Sequence, residues 1–421
     1  MARHDERAAE RLAGHEGRTG ETVGVELSRE REQARQAMPH QPPGAKRIGA
    51  CGDAGGARRL HILITNMQLT EGTGTEQVTR DLALHFMQRG HIVAVYSPKQ
   101  GRFAARMRTE GVHLVDTPSA VGWSPDVIHG HHHVETMAAL RAHPEARGLF
   151  VCHDGRQWAD HPPLHPRVMR YVAVDKNCRE RLASLVPLKA LRVIGNWFDA
   201  DRFRPRRPLP ARPRRALFFS NYAGNAPALL RVLREACAAE GLRLDLLGNS
   251  VGNQRVDPEA VLGGYDLVFA KGKCAIEALA TGCAVIVCHE RPGPLITPLN
   301  MELCRQWNFG LRLALSPLTV EAVRREIRDY DAEKAAIVSR FARERCGFTA
   351  AVSAYEQLYD EVLAEELPSQ PDGESMNLER LLHAVSQSSA RCRAWDAPPA
   401  CGPLRLDQMR RIRLTALDHP N

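Results

Sequence analysis

Short apolar runs alternate with amphipathic stretches between residues 58 and 366, and this alternation predicts a repeated strand–helix order. Residues 60–66 (LHILITN) form a compact apolar run, as a strand buried on both faces requires. Residues 75–89 then place Val78, Leu82 and Phe86 at helical spacing, and Gly90 follows as a stop signal. Further strands are predicted at 92–96, 112–115, 126–129, 148–152 and 170–174, with helices at 102–110, 135–141 and 176–185. Such an order builds a parallel sheet with helices on both faces.

Residues 199–215 (DADRFRPRRPLPARPRR) interrupt the pattern, because their prolines fit neither a helix interior nor a central strand. The alternation restarts beyond them. Strands are predicted at 215–220, 243–247, 265–270 and 284–288, and helices at 226–240, 258–262, 275–281, 319–330, 332–345 and 348–365. The expected organisation is a first domain over 58–198, a linker over 199–214, a second domain over 215–347 and a crossover helix over 348–366. Residues 1–57 are charged and poor in aliphatics, and 367–421 carry scattered prolines with one short helical stretch at 378–385, so both ends are expected to be disordered tails. Two doubly wound α/β halves joined by a linker place a ligand cleft between the carboxyl ends of both sets of strands.

Composition narrows the class. The 421-residue chain has a formal net charge of +8 and a pI near 9.0, but arginine is spread along its whole length, which reads as solvated charge. No recognition-helix or aromatic strand motif accompanies the basic residues, so nucleic acid is not an expected partner. The eleven cysteines contain no C-x-x-C pair, which points to reduced thiols in the cytoplasm. Cys283 and Cys288 belong to an apolar strand region and read as small core residues. No secretory leader or membrane-spanning run is expected, and any membrane contact would be peripheral.

The stretch 265–289 (YDLVFAKGKCAIEALATGCAVIVCH) carries the densest chemistry. A strand ends at Ala270, Lys271-Gly272-Lys273 make the turn, and a helix starting near Cys274 holds Glu277 in its first turn. Free N–H groups and a partial positive charge at a helix start bind phosphate. Gly272 permits close backbone approach, the two lysines add charge, and Glu277 can accept hydrogen bonds from a ribose diol. An ordinary strand–turn–helix with solvated lysines fits the same residues. His129, His131, His132 and His133, with His153-Asp154 further on, suggest a metal, yet alternate side chains of a strand point apart and neither an H-E-x-x-H helix nor a cysteine partner occurs. His132 and His133 read as polar loop residues. Gly72-Thr73-Gly74 lies where a nucleotide loop would, but Gln77 stands at the third glycine position of a dinucleotide fingerprint. Asn225-Ala226-Pro227 reads as helix-start chemistry. Trp123, Trp158, Trp197 and Trp307 lie in expected loops, with Trp158 a candidate for stacking on an acceptor sugar.

Taken together, these pieces resemble glycosyltransferases of the GT-B type, two Rossmann-like domains facing across a cleft, and are nearest to glycosyltransferase family four. Glu277-Ala278-Leu279-Ala280-Thr281-Gly282 is similar to the donor-binding E-A-L/M-A-x-G segment, residues 125–131 (PDVIHGH) to a strand end, residues 73–95 to the first loop and helix, and residues 196–205 (NWFDADRFRP) to the interdomain linker. The likeness spans about residues 60–366.

It implies transfer of a sugar from a nucleotide-sugar donor to a glycan, lipid-linked or small-molecule acceptor, with no metal and no further cofactor. It implies donor contacts from Glu277 (ribose), Lys271, Gly272 and Lys273 (diphosphate), and Ser220, Gly248 and Asn249 (cleft wall near the base). Gly72, Thr73 and Gly74 would face the acceptor and donor phosphates, and His131, His153 and Asp154 would lie near the reaction centre, a histidine there orienting the sugar or acting as base. Two departures stand out. Phe269 occupies the position, eight residues before Glu277, where many members carry a second acid, and Ser220-Asn221-Tyr222 replaces a region that usually supplies an Arg and a Lys. The pattern is also similar to the lipid-acceptor enzymes that add N-acetylglucosamine in peptidoglycan synthesis. The competing expectations are a non-catalytic nucleotide or sugar binder of the same fold, and a metal-dependent hydrolase using the His129–His133 run.

Overall fold

The structure, a computed structural model, describes residues 58–368 apart from 222, 254, 256 and 311. The expected tails therefore lie outside the described residues, save for 367 and 368, as does the short helix at 378–385. In chain order the first part comprises β1 (His61–Thr65), α1 (Gly74–Gln88), β2 (Ile92–Tyr96), α2 (Arg102–Thr109), β3 (His113–Val115), β4 (Val127–His131), α3 (His133–Ala142), β5 (Arg147–Cys152), β6 (Val168–Ala173), α4 (Lys176–Ala183) and β7 (Leu191–Val193). These seven strands pair in the order β3-β2-β1-β4-β5-β6-β7, every neighbour parallel. The second part comprises β8 (Arg215–Phe219), α5 (Pro227–Ala239), β9 (Arg243–Leu247), α6 (Glu259–Leu262), β10 (Leu267–Ala270), α7 (Gly272–Thr281), β11 (Ala284–Cys288), β12 (Pro292–Leu295), α8 (Met301–Gln306), α9 (Val320–Arg328), α10 (Ala332–Arg345) and α11 (Phe348–Ala364). Its sheet runs β12-β11-β10-β8-β9.

Both sheets reverse direction of growth once, between β1 and β4 in the first and between β8 and β10 in the second. An open α/β sheet parts its loops at such a reversal, leaving a crevice beyond the strands' carboxyl ends. The residues that follow β1, β4, β8 and β10 are thus placed by topology alone. Two strands escaped the sequence pattern. β7 has only three residues, and β12 (PGPL) is an antiparallel edge strand, which tolerates prolines where a central strand would not.

Helix α11 completes the first core. Ala351, Val352, Tyr355, Leu358, Tyr359 and Val362 recur along one face of α11 and are buried with β1–β6. Arg170 and Arg192 both pair with Glu361 at 3.0 Å along the rim of this contact. The two tyrosines differ. The Tyr359 hydroxyl lies 2.7 Å from His129 Nδ1, whereas the buried Tyr355 hydroxyl meets no hydrogen-bonding atom among the described residues.

Removing an unpaired buried hydroxyl relieves a desolvation cost, while removing a paired one strands its partner. Tyr355→Phe is expected to leave stability unchanged or raise it, and Tyr359→Phe to lower it by about 1 to 3 kcal/mol. Urea unfolding of the two variants side by side measures this, and equal losses would contradict the pairing.

Candidate functional site

At the second sheet's reversal, Ser220 follows β8 and is buried, its N–H donating to Leu247 O at 2.9 Å. Gly248 follows β9 with φ 156°, and a Cβ there would lie 1.9 Å from the Ser220 carbonyl oxygen, so only glycine lets the two strand ends close up. Asn249 is exposed, and its N–H donates to Asn221 Oδ1 at 3.3 Å. Lys271, Gly272 and Lys273 follow β10.

The helix bearing Glu277 starts at Gly272 rather than near Cys274, so Glu277 sits in the second turn and not the first. The extra half-turn comes from Gly272, whose φ of 54° lets the chain swing directly from strand into helix. Its N–H points at Phe309 O, 3.4 Å away. Lys273 Nζ lies 3.0 Å from Trp197 O, 3.4 Å from Asp81 Oδ2 on α1 and 3.7 Å from Glu277 Oε1. Asp81 and Glu277 are buried, and Lys273 is partly buried between them. Burial raises the Glu277 carboxyl to about 7, against the pull of Lys273 and Arg202. Lys271 lies 3.2 Å from His289 Nε2, beyond β11. Burial lowers the Lys271 ammonium from its usual range, and Asp154 at the end of β5 opposes that shift across the gap.

The first sheet's carboxyl ends are lined with histidines that do not converge. Among the described residues no group of three or more His, Cys, Asp or Glu side chains is arranged around a metal position. His129 turns inward to Tyr359. His131 Nδ1 meets His153 Nε2 at 2.7 Å. His132 and His133, expected as polar loop residues, are both buried: the former accepts the Met67 N–H at 3.1 Å, and the latter's Nδ1 is 2.9 Å from His161 O. His132 also holds φ 67° and ψ 141°, a strained backbone for a residue with a Cβ, where β4 turns into α3. Burial drives the His129 and His153 imidazoles down to about 3 and His132 to about 4, and puts His131 well below the usual range.

Asp154 Oδ1 accepts the N–H groups of Arg156 and Gln157 at 2.6 and 3.1 Å, closing the loop after β5. Asp160, which the sequence did not single out, accepts the His153 N–H at 2.6 Å, and burial raises it to about 7. Trp158 is 45% exposed on the short turn between them, whereas Trp197 and Trp307 are core residues.

The Gly72-Thr73-Gly74 loop is tied to an acid in the first turn of α1. Buried Glu76 accepts the N–H groups of Glu71 and Gly72, each at 3.0 Å, and the Thr73 hydroxyl at 2.8 Å. Thr73-x-x-Glu76 at a helix start is a capping pattern, which was the available signal. Glu76 thus takes up two backbone donors that a phosphate loop would otherwise present.

Two measurements follow. Lys273→Met removes the cation that Asp81 and Glu277 share, leaving Asp81 only the Arg80 cation at 3.5 Å among the described residues, and stability is expected to drop by about 3 to 5 kcal/mol in chemical unfolding; an unchanged stability would contradict the cluster. The folded state keeps His129, His131, His132 and His153 neutral, so their contribution is whole above an unfolded pKa of about 6.5 and is lost as pH falls. Glu277 and Asp160, raised to about 7, act oppositely between about pH 7 and 4. Four imidazoles outweigh two carboxyls, so stability is expected to fall from pH 6.5 to 5.0, and His153→Gln to flatten the slope by up to about 1.4 kcal/mol per pH unit. Urea midpoints across that range decide the sign.

No family model matches the chain, and no curated protein matches it. Solved structures do. A glycosyltransferase from Rickettsia africae matches with a TM-score of 0.55 at 13% identity, covering 74% of this chain and 100% of its own. The lipopolysaccharide outer core galactosyltransferase WaaB gives 0.49 at 12% identity, over 72% of this chain and 100% of its own. A UDP-N-acetylglucosamine 2-epimerase, so described, from Listeria monocytogenes gives 0.44 at 13% identity, over 75% and 100%. At such identities the likeness is one of architecture, and the architecture is GT-B: two Rossmann-like sheets whose strand ends face each other across a cleft.

Proposed function

We propose that the chain is a glycosyltransferase that takes a sugar from a nucleotide-sugar donor without a metal ion or further cofactor. One observation carries the reading: the strand-to-helix turn 271–273 of the second sheet lies opposite Asp154 and Arg156 of the first, closely enough for their charges to act on Lys271 and His289. The Rickettsia africae glycosyltransferase of the same fold supports the reaction class.

On this reading the diphosphate lies against Lys271 and the start of α7, the base beside Ser220, Gly248 and Asn249, and the ribose on Glu277. Nucleotide entry would part α1 from α7, and Lys273 would exchange Asp81 for the diphosphate. Cleavage of the anomeric C–O bond leaves negative charge on the nucleoside diphosphate, which lysine ammonium and helix N–H groups stabilise in place. The acceptor oxygen forms the new bond to the anomeric carbon and gives up a proton. That proton would pass to the departing diphosphate oxygen, while His153, neutral at pH 7 and hydrogen-bonded to His131, would orient the sugar. The loop Gly72–Gly74 would border the acceptor, and the acceptor itself would be a glycan, a lipid-linked sugar or a small molecule met in the cytoplasm or at a membrane surface. Among the described residues no helix is long and apolar enough to cross a membrane.

Phe269 favours a second reading, a nucleotide or sugar binder without catalysis. Its side chain is fully buried in the core of the second sheet, so no acid can reach the donor from that position.

A thermal-shift series with UDP, GDP and ADP tests the site. One nucleotide should raise the melting temperature, and Glu277→Ala should weaken its half-saturation at least about tenfold, as expected for loss of a carboxylate hydrogen-bonded to ribose. An intact response in Glu277→Ala would remove the site assignment. Release of free sugar from the matching nucleotide sugar then separates enzyme from binder.

A further inference from the structure

A cavity of about 470 Å³ opens beyond the carboxyl ends of β6 and β7, where the chain crosses twice between the two sheets. Residues 193–196 form one wall as the chain leaves β7, and residues 345–347 form another as it returns toward α11. The two crossings are joined: the Phe198 N–H donates to Cys346 O at 3.1 Å, and the Phe348 N–H to Phe198 O at 3.2 Å. Ile276 of α7 lines this space, while Glu277, turned about 100° further round the helix, does not.

Charge in the cavity is one-sided. Lys176 and Arg179 from the first turn of α4, Arg305 from α8 and Arg345 from the end of α10 all line it. The single carboxylate among the lining residues, Asp175, is committed to capping α4, accepting the Cys178 N–H at 2.7 Å. Lys176 lies over the Trp307 ring and Arg345 over Phe341, contacts that place the cations without neutralising them. Arg305 alone reaches an acid, Glu302, at 3.4 Å. Arg179 makes no ion pair among the described residues. Ile276, Phe309 and Ala351 give the cavity an apolar floor. The volume is that of a small-ligand pocket rather than of a single inorganic ion.

Four cations from three separate helices around one cavity give it a positive lining, and arginine forks match phosphoryl oxygens. We propose that this cavity binds a phosphorylated small molecule carrying two or more negative charges, at a site separate from the strand-end turn at Lys271. The phosphoryl group would lie among Arg179, Arg305 and Arg345, with the remainder of the molecule on Ile276 and Phe309.

Calorimetric titration of the full chain with inorganic pyrophosphate tests this. The wild type should show saturable binding. Arg179→Ala/Arg345→Ala, which changes two exposed side chains, should weaken it at least about tenfold, the loss expected for one charge-assisted hydrogen bond or more. Lys271→Ala should leave this arginine-dependent binding in place, removing at most a second, independent event at the strand-end turn. Absence of saturable binding in the wild type overturns the proposal. So does binding that survives the double substitution and disappears with Lys271→Ala, because the anion would then belong to the strand-end site. Ligand-free melting temperatures equal to the wild type's show that the variants are folded.

Discussion

A partly buried lysine shared by two buried carboxylates from different halves of the chain holds the molecule in the arrangement seen here. Lys273 on α7 reaches Glu277 on its own helix and Asp81 on α1, 192 residues away in sequence. Such a cluster gains little from Coulomb attraction once desolvation is counted, but it strongly penalises any arrangement that removes one member. Its value is therefore geometric. It fixes the distance between α1 and α7, and that distance sets how far apart the two rows of strand ends stand.

The same economy governs the histidines. They lie where the first sheet's loops part, a place where side chains would ordinarily meet water. Instead α11 covers His129, the loop after β1 reaches His132, and the turn around Asp160 encloses His153. Imidazoles so enclosed remain neutral, acting as hydrogen-bond connectors rather than as standing charges.

Much of the fold was legible because short apolar runs bounded by Gly or turn residues admit one interpretation. β2, β9, β11 and α10 fall on the predicted residues. β7 was too short to show a period, and β12 reads as a loop because an antiparallel edge makes few demands on sequence. In the candidate site the local features were visible: Lys271, Gly272, Lys273 and Glu277 share one segment. What could not be read was partnership over distance. Nothing in the order of residues joins Lys273 to Asp81, His131 to His153 or Tyr359 to His129. The burial of His132 and His133 follows from loops packing over them, so their polar appearance misled. Glu76 is different, since its threonine stood three residues before it in plain view.

The return of the chain through α11 also bears on how the protein is made. Residues 348–364 supply Tyr355, Leu358, Tyr359 and Val362 to a core whose remaining members are nearly all encoded before residue 198. During synthesis the amino-terminal half emerges first yet stays unsealed until α11 leaves the ribosome, while the core of the half translated second draws on one contiguous stretch from Phe198 to Cys346. Order of synthesis and order of completion are thus inverted, and a ribosome stalled anywhere in the later half displays an uncovered apolar sheet face of the kind that chaperones hold.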